Sequence, residues 1–246
     1  MSHVIWKNFI TPNSSSDESE ELFDPSFKDS LPNTLKVPIE SQSIVLKDPR
    51  AFRSMSRAAL LLSHICTGIE ETVLKPYLLK NPFSVGIYCA VENGPIDAPT
   101  TLKMLDASPE QFAEMYRKLR NPKMYLKQLP NLVPAQLGIF LNIQGIMNVY
   151  THSEQGGIQA LEQAEIDLQQ GVVEAALVCT AHAFDDYLVV KRSQLKHPER
   201  RLCEGAAAMV LVRDHKSALT PWSDLLKENK KNNYGVSDQI INLLID

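Results

Sequence analysis

The chain has 246 residues, which is long enough for one large domain or two small ones with a substantial core. Apolar residues make up 44% and charged residues 22%, and the net charge of −4 argues against a nucleic-acid-binding surface. No apolar run approaches the ~20 residues that cross a bilayer, and the first residues lack the pattern of a signal peptide. We therefore expect a cytoplasmic protein without a membrane span.

The cysteines are scattered, at Cys66, Cys89, Cys179 and Cys203, without CxxC spacing. This distribution disfavours both a zinc site and a disulfide framework, and no nucleotide-binding motif is present. We therefore expect no metal and no cofactor.

The first third of the chain alternates between strand, loop and helix signals. Residues 3–10 predict a short first strand, and residues 12–24 form an acidic, serine-rich tract that is typical of a mobile loop. Apolar side chains recur at helical spacing from residue 48 to residue 79, behind an Asp-Pro pair, which predicts one long helix. Residues 83–91 are an almost continuous apolar run, as in a strand buried on both faces.

The next segment is helical. Ser108 and Pro109 predict the start of a second helix. One side of that helix carries Phe112, Met115, Tyr116 and Leu119. Residues 135–143 predict a further short helical piece.

The last third contains two more strands and a terminal helix. Residues 172–180 and 206–212 predict buried strands, and residues 239–245 predict a short helix at the end of a polar tail. The alternation of strands and helices predicts an α/β layered fold with a mostly parallel mixed sheet. We expect a single domain with a core over residues 45–213 and a tail over 214–246.

The chain is organised around the unit between Gly145 and Gly171. Residues 146–150 are β-prone, residues 151–157 form a small polar turn, and helical spacing continues up to Gly171, which suits a C′ glycine. A strand that feeds a tight turn into a helix N-terminus is where many enzymes hold a nucleophile. The side chain on this turn is Glu154.

Five segments in this order share their small residues, prolines and glycines with one enzyme family. They are RSMSR at 53–57, PN with QLGIFLNIQG at 130–145, THSEQGG at 151–157, GVVEAALVC at 171–179 and EGAAAMVL at 204–211. Together they resemble the N-terminal half of a β-ketoacyl synthase, a condensing enzyme of the thiolase-like superfamily. The third segment resembles the family's nucleophile elbow, T-A-C-S/T-S-G. The resemblance covers roughly residues 50–213 and implies a thiolase-like N-terminal half with the C-terminal half missing.

The resemblance breaks at the nucleophile. The family's cysteine corresponds to the position nine after Gly145 and four before Ile158, and both spacings lead to Glu154. A carboxylate is far less nucleophilic than a thiolate towards a thioester. The family's catalytic histidines and lysine belong to the C-terminal half, so the resemblance implies no condensing activity by this chain alone.

Without the cysteine, the chain resembles the chain-length factors, which are catalytically silent partners of an active synthase. One of them is a short subunit of aryl polyene pigment pathways. That resemblance implies a heterodimer with a full-length ketosynthase, and contact with acyl carrier protein mainly through that partner. The strand that pairs across the interface would be Met147, Asn148, Val149, Tyr150, Thr151 and His152. The tunnel-lining candidates are Phe112, Met115, Tyr116 and Leu119.

The role of Glu154 stays open, as does that of its neighbours His152, Ser153 and Gln155. The glutamate either bonds to backbone or partner groups at the vestigial site, or it only suits the helix dipole. A stand-alone acyl hydrolase or decarboxylase that uses Glu154 and His152 is the alternative function. A truncated, decaying synthase is a third possibility.

Three other features are expected to be structural. His182, with Asp185 and Asp186, fits no metal template and is expected in a solvated loop. Cys203 is expected to be a semi-buried, inert thiol. The lysines within residues 227–231 are expected at a solvated surface, with a weak patch for acyl carrier protein as the alternative.

Overall fold

A computed structural model describes most of the chain. The described residues are 2–12, 34–35, 37, 54–92, 94, 97–105, 107–152, 154–184, 195, 198, 202–213 and 235–245. The predictions for the acidic tract beyond residue 12, for Ser153, for Asp185 and Asp186, and for residues 227–231 lie outside them.

Strands and helices alternate along the chain. The strands are β1 (Ser2–Ile10), β2 (Thr34–Leu35), β3 (Val85–Val91), β4 (Met147–Tyr150), β5 (Ala175–His182), β6 (Leu202–Cys203) and β7 (Gly205–Arg213). The helices are α1 (Arg57–Ile65), α2 (Ile69–Thr72), α3 (Lys75–Lys80), α4 (Ala98–Leu105), α5 (Pro109–Leu119), α6 (Pro122–Gln128), α7 (Leu132–Leu141), α8 (Gly156–Gln170) and α9 (Asp238–Ile245). A 3₁₀ turn, Gly235–Ser237, precedes α9. The α/β class is confirmed.

The main sheet is mixed and has the order β1-β7-β5-β3-β4. The strand β3 pairs in parallel with β4 and β5, whereas β7 pairs antiparallel with β5 and β1. The short strands β2 and β6 form a separate parallel pair. Within the described sheet, β1 and β4 are therefore the edges.

Helices cover both faces of this sheet. Leu61 of α1 and Leu137 of α7 are fully buried against one face. Leu161 of α8 and Ile240 of α9 are fully buried against the other. The strands β3 and β5 are buried along their whole length, which explains why their sequences are apolar without alternation.

The single long helix predicted over residues 48–79 is wrong in its described part. The chain forms α1, α2 and α3 instead, and Gly68 between the first two has a φ of 83°, which a right-handed helix cannot accommodate. Pro76 lies in the first turn of α3 rather than at a helix end. The apolar stripe continues across the break because Ile69 and Leu74 still face the same core.

A buried carboxylate joins two of the five family-like segments. Glu204, which precedes β7, is fully buried and accepts hydrogen bonds from Arg57 Nε at 2.5 Å and Nη2 at 2.7 Å. It also accepts the backbone N–H groups of Val37 at 2.9 Å and Phe184 at 2.8 Å. The start of α1 is therefore tied to the start of β7 through one fully satisfied charge.

None of the helices in the described part of the chain is long and apolar enough to cross a membrane.

Candidate functional site at the turn between β4 and α8

The predicted strand–turn–helix unit is present. The strand β4 ends at Tyr150, the turn places Glu154 at the surface, and α8 begins at Gly156. The helix ends at Gly171, whose φ of 74° is the left-handed conformation expected of a closing glycine. Glu154 thus lies exposed on the turn between the strand and the helix, and its equivalence to a nucleophile position stays a prediction.

His152 caps this turn. Its Nδ1 accepts hydrogen bonds from the backbone N–H groups of Glu154 and Gln155, at 3.2 Å each, and its carbonyl accepts that of Gly156 at 2.8 Å. An Nδ1 that accepts these bonds must carry its lone pair, so the proton of the neutral ring is on Nε2. The described contacts of His152 therefore hold the backbone of the turn.

The same geometry disfavours the hydrolase or decarboxylase alternative. The contacts described for His152 are with backbone N–H groups and not with the carboxylate of Glu154. To act as a base through Nδ1, the imidazole would have to give up the cap, and Nε2 already holds a proton. The turn therefore offers a carboxylate at the surface without a base beside it.

The cysteines are poorly placed to act as nucleophiles, since all four are buried. Burial raises the pKa of the Cys66 thiol, with the neighbouring Cys179 and Glu70 adding to the effect. A hydrogen bond to Cys179 and burial raise the pKa of the Cys89 thiol. A raised pKa keeps a thiol protonated and unreactive. Cys203 is 4% exposed, so it is more deeply buried than expected.

Among the described strands, β4 is an edge of the sheet with no strand on its outer side. It pairs with β3 on one side only, and the Ile87 N–H donates to the carbonyl of Ile146 at 2.7 Å. Because bonds alternate along a parallel ladder, the N–H and C=O groups of Met147 and Val149 face away from β3. The predicted interface strand therefore presents unpaired backbone groups, although pairing with a partner stays a prediction.

The helices α4, α5 and α6, together with Leu129, form what we call the helical lobe. It leaves the carboxyl end of β3 and returns to α7. None of the side chains of α5 is buried, and Phe112 is 51% exposed, while Met115, Tyr116 and Leu119 are half-buried. The lobe also exposes Leu102, Leu105, Tyr125, Leu126 and Leu129. The four tunnel candidates are thus not core residues of this chain, and their role in a tunnel stays a prediction.

His182 does not lie in a solvated loop, so that expectation is wrong. It is the last residue of β5 and is 3% exposed, because β5 extends far enough to pair His182 with Gly205. Its Nδ1 lies 2.9 Å from the carbonyl of Cys203, and its Nε2 lies 3.9 Å from Glu92 Oε1. Within the described ranges, no cluster of His, Cys, Asp or Glu could hold a metal ion.

A small cleft lies near the carboxyl ends of β3 and β5. Its volume is about 20 Å³, and Ser56, Glu92 and Lys127 contribute to its lining. That volume holds about one water molecule. This cleft is too small for an acyl chain.

Comparisons with known proteins give a structural match only. No protein-family model and no curated protein sequence matches the chain. Among solved structures, it is similar to a β-ketoacyl synthase from Burkholderia phymatum, with a TM-score of 0.53 and 16% identity over 77% of this chain and 51% of that chain.

Two complexes are also similar. The ketosynthase AntDE of a type II polyketide synthase, bound to its acyl carrier protein AntF, matches with a TM-score of 0.55 and 20% identity, over 73% of this chain and 53% of that chain. The ketosynthase ApeO in complex with its chain length factor ApeC, from Xenorhabdus doucetiae, matches with a TM-score of 0.50 and 14% identity. This last match covers 74% of this chain and 47% of that chain.

The chain has a ketosynthase-like fold. At these identities the likeness establishes the fold alone, and it confirms the thiolase-like α/β architecture expected from the five segments. The chain spans about half the length of the ketosynthases it matches.

Proposed function

We propose that this ketosynthase-like chain is a non-catalytic subunit that pairs with an active ketosynthase and shapes its acyl tunnel, as a chain-length factor does. The observation that carries the proposal is an exposed turn on which Glu154 stands where the resemblance expects a cysteine, directly after a strand at the edge of the described sheet. The first feature removes the chemistry from this chain, and the second offers a place for the chain that supplies it.

The absence of a nucleophile is argued from each candidate group. Glu154 has no base beside it, because His152 Nδ1 is occupied by backbone N–H groups. Cys66 and Cys89 are buried and have raised pKa values. Condensation by a thioester mechanism therefore requires a thiol from another chain.

The partner is expected at β4 and the helical lobe rather than on α8. The outer side of α8 exposes Glu162, Gln169 and Gln170, with Ile166 as its exposed large apolar residue. A face of α8 that a partner normally covers would be apolar, whereas the exposed side chains of this helix are mostly polar. The edge at Met147 and the lobe instead supply unpaired backbone and apolar side chains.

The acyl chain is expected to be carried by acyl carrier protein. One similar structure is a ketosynthase bound to such a carrier, and another is a ketosynthase bound to a chain length factor. The lobe of this chain exposes Arg117, Arg120 and Lys123, which would complement an acidic carrier held mainly by the partner. An aryl polyene is the product class suggested by the resemblance. A rigid apolar polyene needs a straight apolar tunnel, which an interface between two subunits can supply.

Product length is the decisive test. If Phe112 and Met115 form the tunnel floor, Phe112→Ala and Met115→Ala should lengthen the chains that a co-expressed ketosynthase builds, because the floor is removed. The chains on the carrier protein would be measured by mass spectrometry. Ile166→Ala, an exposed apolar truncation on α8, is the matched control and should leave the product length unchanged.

Two results would contradict the proposal. An unchanged product distribution in both lobe variants would remove the tunnel role. Turnover of acyl thioesters by the isolated chain, lost in Glu154→Gln, would instead favour the hydrolase or decarboxylase. Co-purification of the chain with the ketosynthase would be recorded in the same preparations, so failure to pair and failure to shape the tunnel are distinguished.

A further inference from the structure

A C-terminal strap crosses the amino end of α8. We define it as residues 235–245, the 3₁₀ turn and α9 together. Val236, Ser237, Ile240 and Ile241 are buried in it, and it packs against α8 and β7 on the sheet face opposite α1. The strap therefore lies directly behind the turn that carries Glu154.

The two glycines that start α8 fit this strap closely. A Cβ added at Gly156 would lie 3.0 Å from Val236 Cγ2 and 3.4 Å from the Tyr150 carbonyl oxygen. A Cβ added at Gly157 would lie 3.0 Å from Ile240 Cγ1 and 3.2 Å from the Val236 carbonyl oxygen. A Cβ at either position would require the neighbouring atoms of the strap to shift by a few tenths of an ångström. The space beside the two glycines that follow the turn is thus filled by the strap.

The fit is reciprocal at the first residue of the strap. Gly235 has a φ of 52°, and a Cβ there would lie 2.5 Å from Cδ2 of His182. His182 is itself buried at the end of β5. Glycine is required at this position both for its backbone conformation and for the ring beneath it.

Two hydrogen bonds fasten the strap further along. The Ser237 hydroxyl donates to the Gly205 carbonyl at 3.4 Å, and Lys7 Nζ donates to the Leu244 carbonyl at 3.2 Å. These bonds join the strap to β7 and β1. Its position is therefore set at both ends and not only by apolar contact.

We propose that the strap is a conformational device that holds the Glu154 turn and the end of β4 in place, so that loosening it loosens both. The three segments meet at Gly156, where an added Cβ would lie 3.0 Å from Val236 Cγ2 and 3.4 Å from the Tyr150 carbonyl oxygen. This coupling is a property of the isolated chain and does not depend on the proposed subunit role. It assigns Gly156, Gly157 and Gly235 to positioning rather than to the approach of a substrate.

Amide hydrogen exchange of the full chain, read by mass spectrometry, tests the coupling. Gly157→Ala and Ile240→Ala should each raise the exchange rate of peptides covering residues 147–158 and 235–245 by about tenfold or more. The peptide covering β5 should keep its protection. Ile166→Ala, on the exposed side of α8, is the control and should change neither segment.

The remaining outcomes overturn the proposal. Faster exchange in the strap alone would show that the turn does not depend on it. An equal rise that includes β5 would show global unfolding rather than local coupling. Ile240→Ala introduces no clash, so it provides the test even where Gly157→Ala fails to fold.

Discussion

Two glutamates of this chain occupy opposite environments. Glu154 lies exposed on a turn, whereas Glu204 is fully buried and accepts four hydrogen bonds, two of them from Arg57. Desolvating a carboxylate is costly unless every lone pair is matched, and at Glu204 the guanidinium and two backbone N–H groups match them. Glu204 therefore has a structural role that its place in a strand motif did not reveal.

Removing this charge should destabilise the fold. Glu204→Gln would place an amide NH₂ group, itself a donor, among the N–H donors that now surround the carboxylate. It would also remove the negative charge that pairs with Arg57, whose side chain is 17% exposed. We expect the free energy of unfolding to fall by about 3–5 kcal/mol, as for a broken buried pair. Urea unfolding followed by circular dichroism measures the change.

The matched control is an ion pair at the surface. Lys80 and Glu174 are 2.6 Å apart, and their side chains are 67% and 44% exposed. Glu174→Gln should change the unfolding free energy by less than about 1 kcal/mol. Equal effects of the two substitutions would show that the Glu204 pair is no stronger than a surface contact.

At the scale of single residues, the position of Glu154 on a turn was predictable and the surroundings of that turn were not. Two sequence spacings lead to Glu154, and the structure places it on the expected turn. The cap formed by His152 depends on the backbone path through the turn, which no spacing encodes. The polar neighbours of His182 predict a loop at this position. In the structure, pairing with Gly205 extends β5 to include His182.

The two edge strands of the sheet differ in how they are protected. The register of β1 shifts between Val4 and Trp6, and the Asn8 side chain accepts the N–H of Phe9. A bulge and a locally satisfied N–H both discourage pairing with another strand. The strand β4 has neither feature at the described positions, so it is the edge that a partner is expected to extend.

Proline at this edge should block association without disturbing β3. In Val149→Pro the lost N–H is one that faces away from β3, so the existing ladder keeps its bonds. We expect the variant to fold as the parent does and to lose co-purification with the ketosynthase. Ile5→Pro, at the bulge of β1, is the control and should still co-purify. Retention of the partner by Val149→Pro would show that β4 is not the contact.

At the scale of elements, periodicity predicted existence better than boundaries or packing. The apolar stripe runs through Gly68 and so predicts one helix over residues 48–79. The backbone, however, turns at this glycine. The start of α5 after Ser108 was predicted, because a proline at the first helical position is a local signal. The exposure of the apolar side of α5 was not predictable, because burial depends on segments that are distant in the sequence.

The described part of the molecule exposes large apolar side chains near both ends of β3. The helical lobe follows the carboxyl end of β3, where Leu102, Leu105 and Phe112 are each at least half exposed. Leu79, which is 78% exposed, precedes the amino end of the same strand. The fold class was predictable from the alternation of strands and helices, whereas the exposure of these side chains follows from tertiary packing that the sequence pattern does not show.

An uncovered lobe beside an open edge should make the isolated chain self-associate. Burying a large apolar side chain contributes about 1.5–3 kcal/mol, so a few such residues suffice for weak association at micromolar concentration. Leu105→Glu and Phe112→Glu should each reduce the association measured by sedimentation velocity over a concentration series. Leu79→Glu adds the same charge at an equally exposed leucine before the other end of β3 and should have no effect. If Leu79→Glu disperses the chain as well as the lobe variants do, net charge rather than the lobe controls association. A monomer at all concentrations would mean that the lobe and edge need no cover, which would remove the physical reason for a partner at this end of the molecule.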